Sequence, residues 1–190
     1  VEAVSQDLPQ SPARRDDELR GLFDALAAGR MSALDELYDA AAARLHDLAL
    51  WRTGSMEDAA DVVQDVFVRV AGLGQRLGGI RNPRAWLLTV THRAAVDVTR
   101  RRSRRRAEAI ETCPFLTAAS ADGDRRLDAK RASRLLAGLP ASQRTVIYLR
   151  HFASFTFAEI GQIVGVPKFT AASRYRNGIA KLRRLMGGKP

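Results

Sequence analysis

Cysteine is nearly absent: Cys113 stands alone in 190 residues. One thiol excludes an internal disulfide and any cysteine-rich zinc site, and its simplest setting is a reducing, cytoplasmic one. It lies in a stretch without periodicity, where it reads as incidental. Histidine is also scarce. His46, His92 and His151 are far apart and share no metal-ligand spacing, so each reads as a surface or boundary residue. No apolar run approaches the ~18 residues of a membrane span, and the polar first residues lack the apolar core of a signal peptide. Nor is there a catalytic constellation. The chain has no glycine-rich phosphate loop with its lysine and hydroxyl, no ordered Ser/His/Asp set and no clustered ligands. It therefore reads as a non-enzymatic protein without a cofactor.

What is present is positive charge. Thirty-one Lys and Arg stand against 21 Asp and Glu, a formal charge of +10. A basic chain of this size most often meets nucleic acid. The charge is also clustered: six of the seven residues from Arg100 to Arg106 are arginine. Cations favour a helix C-terminus, but this many exceed any capping need and repel one another unless an anion lies against them. A phosphate backbone is the natural one.

The apolar spacing is helical throughout, with no convincing strand. Residues 1–16 are polar and contain proline, a composition that does not support a fold. A short helix is expected over Asp17–Ala28, with Leu19, Leu22, Phe23 and Leu26 on one face and Gly29 at its end. Ser32 is expected to cap a longer helix that carries Leu37, Tyr38, Ala41, Leu45 and Leu48, closed by Thr53-Gly54. Ser55 opens a third, with Asp58 three residues on, as in a capping box. Its inward stripe is Ala59, Val63, Val66, Phe67 and Val70. The other face gathers Glu57, Asp58, Asp61, Gln64 and Asp65. Composition leaves two readings of that face open: a solvated surface whose acids favour the helix N-terminus, or a docking surface for a basic protein.

Residues 72–83 read as a glycine-rich basic loop. Asn82 then caps a helix with Pro83 at its first position, running to about Arg106, with Trp86 as a core anchor. The aperiodic stretch 107–124 reads as a linker. Helical spacing resumes near Arg125, is punctuated by Pro140, and continues from Ala141 to about Phe152. Phe157–Arg176 then spells a helix, a tight turn and a second helix. Gly165 suits a left-handed cap, Pro167 pre-sets the turn, and Thr170 can cap the second helix. Gly161 and Ala171 fall where closely crossing helices need small residues. A helix presented this way fits a major groove.

The motifs in this order resemble one family. They are EDAADVVQDVFVRV (Glu57 to Val70), NPRAWLLTVTHRAAVDVTRRR (Asn82 to Arg102), LLAGLPASQRTVIYLRHF (Leu135 to Phe152), AEIGQIVGVP (Ala158 to Pro167) and TAASRYRNGIAKLR (Thr170 to Arg183). Together they are similar to the small, extracytoplasmic-function sigma factors of bacterial RNA polymerase, over about residues 19–186. The resemblance implies an all-α fold of two small helical domains joined by a flexible linker. Residues 17–106 would form the first domain, 107–124 the linker and 125–187 a helix-turn-helix domain. It implies a protein that binds core RNA polymerase and directs it to promoters by reading two elements. A stand-alone helix-turn-helix regulator is the alternative, but it would not need the first domain's opposed acidic and basic faces.

By the same resemblance, Asp58, Asp61, Gln64 and Asp65 would dock on the polymerase clamp. Arg76, Arg81, Asn82, Arg93, Arg100 and Arg101 would bind the promoter element near the start site, where the family extrudes one base. Lys168, Thr170, Ser173, Arg174, Arg176 and Asn177 would read the more distant element as duplex. Promoter DNA and core polymerase are the implied partners, an anti-sigma factor a further one, with no membrane insertion. Three positions depart from the family pattern Gly-Thr-Val-Lys-Ser-Arg: Phe169 replaces its glycine, Ala171 its valine and Ala172 its lysine.

Overall fold

The computed structural model describes residues 12–108, 135–136 and 138–186, with side chains described over 14–104 of the first stretch. The regular elements among them are helical. They are α1 (Pro12–Ala27), α2 (Ala33–Thr53), α3 (Met56–Leu73), a 3-10 segment (Gly74–Gly79) and α4 (Pro83–Glu108), then α5 (Ala141–His151), α6 (Phe157–Val164) and α7 (Lys168–Leu185).

The helix ends follow local chemistry where that chemistry is unambiguous. Gly54 is left-handed at φ 74° and its N–H donates to the Leu50 carbonyl, closing α2. The Ser55 hydroxyl accepts from the Asp58 N–H at 3.3 Å. Asn82 Oδ1 accepts from the Ala85 N–H at 2.9 Å, so Asn82 caps α4 ahead of Pro83. Other expected boundaries move. Helix α1 begins at Pro12, so 12–16 belong to it rather than to a tail; residues 1–11 lie outside the described residues. Ser32 does not cap α2, because its backbone is already helical and its side chain makes no capping bond. The turn is instead closed by backbone bonds from the Ala33 and Leu34 N–H groups to the Arg30 and Met31 carbonyls. The glycine-rich loop is shorter than expected: α3 runs on to Leu73, and the 3-10 segment buries Leu77. Helix α4 extends to Glu108, two residues into the expected linker, whose remainder lies outside the described residues, as does Cys113.

Helices α1 to α4 enclose a core of Phe23, Leu37, Leu48, Val66 and Leu87, each at most 1 % exposed. Trp86 meets Phe23 edge to face at 5.9 Å between ring centres, an arrangement favoured by the ring quadrupoles. Helices α5 to α7 bury Val146, Leu149, Ile160 and Ala171, and these join the same apolar cluster as the first four helices. The two helical groups are therefore packed against each other in this structure.

The seam between them is built from α5. Arg144 is buried and reaches the C-terminal carbonyls of α2. Its Nε donates to the Trp51 carbonyl at 2.7 Å and its Nη2 to that of Arg52 at 3.4 Å, while Nη1 holds the Leu139 carbonyl at 3.0 Å. These are groups that a helix end leaves without intrahelical partners. The Tyr148 hydroxyl donates to the Arg44 carbonyl at 2.9 Å, and burial pushes its phenol pKa up. Trp51 packs on Tyr148 and Phe152 at 5.6 and 5.3 Å. Arg84 of α4 donates to the Ala153 carbonyl and lies over the Phe155 ring.

Candidate nucleic-acid and protein interfaces

The outer face of α3 is acidic. Glu57, Asp61, Gln64 and Asp65 are exposed. Asp58 differs from the expectation of a free docking carboxylate: it is half-buried and paired with Arg102 of α4 at 2.9 Å. The reason is periodicity. Arg102 lies on the side of α4 opposite Arg93 and Arg100 and so meets α3. One arginine of the basic run thus serves the fold.

Beside the acids lies an open apolar groove of about 790 Å³ between α2 and α3, lined by Tyr38, Val63, Gln64, Phe67 and Val68 among others. Tyr38, expected inside, is 51 % exposed and Val68 65 %. Tyr38 is held against Phe67 at 4.9 Å between ring centres. The acids are legible in the sequence and the groove is not, because two helices build it and neither stripe reveals it alone.

The basic side is carried by the 3-10 segment and α4. Arg76, Arg81 and Asn82 are exposed around the start of α4. The Asn82 amide oxygen is occupied by capping, which leaves its N–H2 to face outward. Arg93, Arg100 and Arg101 are exposed along α4. Arg93, Arg100 and Arg104 share one face by helical spacing, with Asp97 among them.

His92, expected at a surface or boundary, is instead buried at 9 % exposure, and its Nδ1 has no hydrogen-bond partner. Burial first, then the charges of Arg52, Arg174 and Arg93, lower its pKa to about 4. It is therefore neutral at ordinary pH.

The helix-turn-helix is set by three local devices. Thr156 and Glu159 form a reciprocal capping box at the start of α6, which the sequence reading passed over. Those hydrogen bonds lower the Glu159 pKa. Gly165 closes α6 in the left-handed region at φ 71°. At Gly161 an added Cβ would sit 2.6 Å from the Val166 carbonyl oxygen, so the turn packs directly on the helix backbone. Thr170 does not cap α7: Pro167 occupies the cap position, the helix starts at Lys168, and Thr170 is its third residue.

Helix α7 turns Ala171 and Gly178 into the core. Ser173 and Arg176 lie on the opposite, outward side, with Thr170 and Asn177 on one flank. Lys168 stands at the N-terminal tip with its Nζ 5.0 Å from the centre of the Phe169 ring. Arg174 departs from this set. It is half-buried, as Thr170 and Ser173 are, but it stands next to the buried side of the helix, and after burial its charge helps to lower the pKa values of Arg52 and His92 in the first helical group. Of the six expected recognition-helix residues, Lys168, Arg176 and Asn177 are exposed, Thr170 and Ser173 are half-buried on the sides turned away from the core, and Arg174 is half-buried beside the core.

Two family models match this architecture, Sigma-70 region 2 over residues 37–105 and Sigma-70, region 4 over residues 135–184. The ECF RNA polymerase sigma factor SigL of Mycobacterium tuberculosis is 32% identical over 161 residues, covering 83% of this chain and 90% of its own. The chain belongs to the ECF sigma factors of RNA polymerase. As such it directs promoter-specific initiation of transcription. The ECF sigma factor SigK of Mycobacterium ulcerans is 29% identical over 184 residues, covering 92% of this chain and 97% of its own. The fold is shared with the sigma factor RpoE of Bartonella quintana, solved in complex with the anti-sigma factor NepR. That match has a TM-score of 0.71 at 21% identity, over 82% of this chain and 98% of that one. It is also shared with CnrH, solved with the cytosolic domain of CnrY, at a TM-score of 0.64 and 23% identity, over 91% and 97% of the two chains. The match to region 2 sets aside a stand-alone regulator, since it covers the opposed acidic and basic faces on α3 and α4. Among the described residues no helix is long and apolar enough to cross a membrane.

Proposed function

We propose that this sigma factor divides its work between three surfaces. The α3 face, with Asp61, Gln64 and Asp65 beside the Tyr38–Val68 groove, docks on core polymerase. Asp58 supports that face through Arg102 rather than contacting the partner itself. The start of α4, with Arg76, Arg81 and Asn82, holds the melted strand near the start site, and Arg93, Arg100 and Arg101 hold its phosphates. Extruding a base costs a few kcal/mol, which these contacts must offset. Ser173 and Arg176, flanked by Lys168, Thr170 and Asn177, read the second element as duplex, where Arg and Asn suit guanine and adenine edges.

The observation that carries this reading is the opposition of charge. Within a chain of net charge +10, the exposed acids of α3 flank an apolar groove while the exposed arginines line α4 and α7. A single solvated surface would not segregate them. In this reading the units are residues 12–108 and about 125–187, the protein acts in the cytoplasm, and the chemistry of RNA synthesis belongs to the polymerase. RpoE was solved with an anti-sigma factor; an anti-sigma partner of this chain would cover the groove and acids of α3.

The test is the double charge reversal Asp61→Arg with Asp65→Arg. The expected outcome is at least a tenfold loss of core-polymerase affinity with unchanged thermal stability, because both side chains are exposed. Unchanged affinity would remove α3 as the docking face.

A further inference from the structure

Phe169 is the second residue of α7 and is 75 % exposed. It takes no part in the apolar core, and its ring is met by the Lys168 ammonium. A single exposed aromatic is ordinary on a protein surface; its place on this helix is not. Helical spacing sets Phe169, Ala172, Ser173 and Arg176 on one outward stripe, opposite the buried Ala171 and Gly178. In a helix-turn-helix the N-terminal residues of the second helix are those that approach base edges.

A phenyl ring offers neither donor nor acceptor. The apolar feature that a base pair presents in the major groove is the thymine 5-methyl group. Ala172, one turn on, widens the apolar spot. Of the three departures from the family pattern, Ala171 is buried, while Phe169 and Ala172 fall on this one stripe, and each turns it from polar or bare to apolar. The Lys168 ammonium over the ring adds positive charge at the tip, where the phosphate backbone borders the groove.

We propose that Phe169, extended by Ala172, is a specificity-determining residue that reads thymine methyl groups in the distant promoter element. The proposal rests on the reading of α7 as the duplex-reading helix. The close approach of the Gly161 backbone to Val166 and Lys168 and the left-handed Gly165 fix the angle at which α7, and with it Phe169, leaves the turn.

The test uses holoenzyme reconstituted from core RNA polymerase and the full chain. A duplex library randomised over the distant element is selected, and each thymine of the winning sequence is replaced singly by uracil, which removes only the methyl group. At one or two positions uracil is expected to weaken wild-type binding about three- to tenfold. Phe169→Ala should lose the same factor on thymine DNA and be indifferent to uracil there, so that the two changes are not additive. Uracil indifference at every position overturns the proposal. So does a Phe169→Ala loss that is equal on thymine and uracil duplexes, which would put the ring against something other than a methyl group. Arg176→Ala and Ser173→Ala, assayed on the same library, separate the two levels. If they change the selected sequence while the uracil scan is flat, only the role of Phe169 fails. If they leave the selected sequence unchanged and the uracil scan is also flat, α7 does not read the duplex, and both readings fall.

Discussion

Replacing Arg144 by alanine tests how firmly the two helical groups are joined. The guanidinium makes two short bonds, to the Trp51 carbonyl at 2.7 Å and the Leu139 carbonyl at 3.0 Å. Two longer ones go to Leu136 and Arg52 at 3.3 and 3.4 Å. A hydrogen bond involving a charged group contributes about 1.5–3 kcal/mol, so the short pair alone gives roughly 3–6 kcal/mol. Against this stands the cost of burying the cation, which together with the nearby Arg52 charge lowers its pKa. Truncation relieves that cost but leaves helix-end carbonyls buried without donors. The net loss expected is about 2–4 kcal/mol. Urea unfolding followed by tryptophan fluorescence measures it, because Trp51 packs on Tyr148 and Phe152 across the seam. Arg144→Lys should recover little, since one ammonium cannot reproduce a planar fork that spans carbonyls from two elements. A loss below about 0.5 kcal/mol for alanine, or full recovery with lysine, would refute the assignment of Arg144 as the clasp of the seam.

Stability should also depend on pH through His92. Its folded pKa, about 4, lies below the ordinary histidine value of 6.5, so the unfolded chain binds the proton more tightly. The stabilisation is complete above pH 6.5 and is lost as pH falls toward 4, by about 3 kcal/mol in total; His92→Gln should flatten denaturation midpoints across that window. Glycine replacements should separate two kinds of close approach. Gly161→Ala drives a Cβ to 2.6 Å from a backbone oxygen and should cost about 2 kcal/mol or more, whereas Gly178→Ala meets side chains only, the terminal methyl of Ile147 at 2.8 Å and the Gln143 Cβ at 3.2 Å. There the gain in helix propensity, about 1 kcal/mol, should hold the change within about 1 kcal/mol of wild type by thermal denaturation. Equal effects at the two glycines would contradict the turn geometry.

Legibility followed the range of the interactions. Gly54, Ser55, Asn82-Pro83 and Gly165 announce helix ends because each acts on its immediate neighbours, and all four do so in the structure. Ser32 and Thr170 misled for the same local reason: a capping side chain is useless once its own backbone is helical, and Gly29 and Pro167 had already set those turns. The seam was not legible. Arg144 meets Trp51 across 93 residues, Tyr148 meets Arg44 across 104, and Arg84 meets Ala153 across 69. No periodicity encodes such pairs. His92 could have been found: it follows Leu88 by four residues and so continues the buried side of α4. On the functional surfaces, charge type and helical face were readable for Asp61, Asp65 and Arg176. The withdrawal of Asp58 into a pair with Arg102, and the lean of Arg174 toward α2 and α4, needed the packing of helices that the sequence leaves unspecified.

The central claim is that one chain couples a polymerase-docking face to two DNA-reading faces. Transcription in vitro by core RNA polymerase with this protein, on a genomic DNA library with start sites read, tests it most directly. The expected result is initiation at defined sites that share two upstream elements, abolished by reversal of Asp61 and Asp65. A protein that binds such DNA by itself but never associates with core enzyme would contradict it.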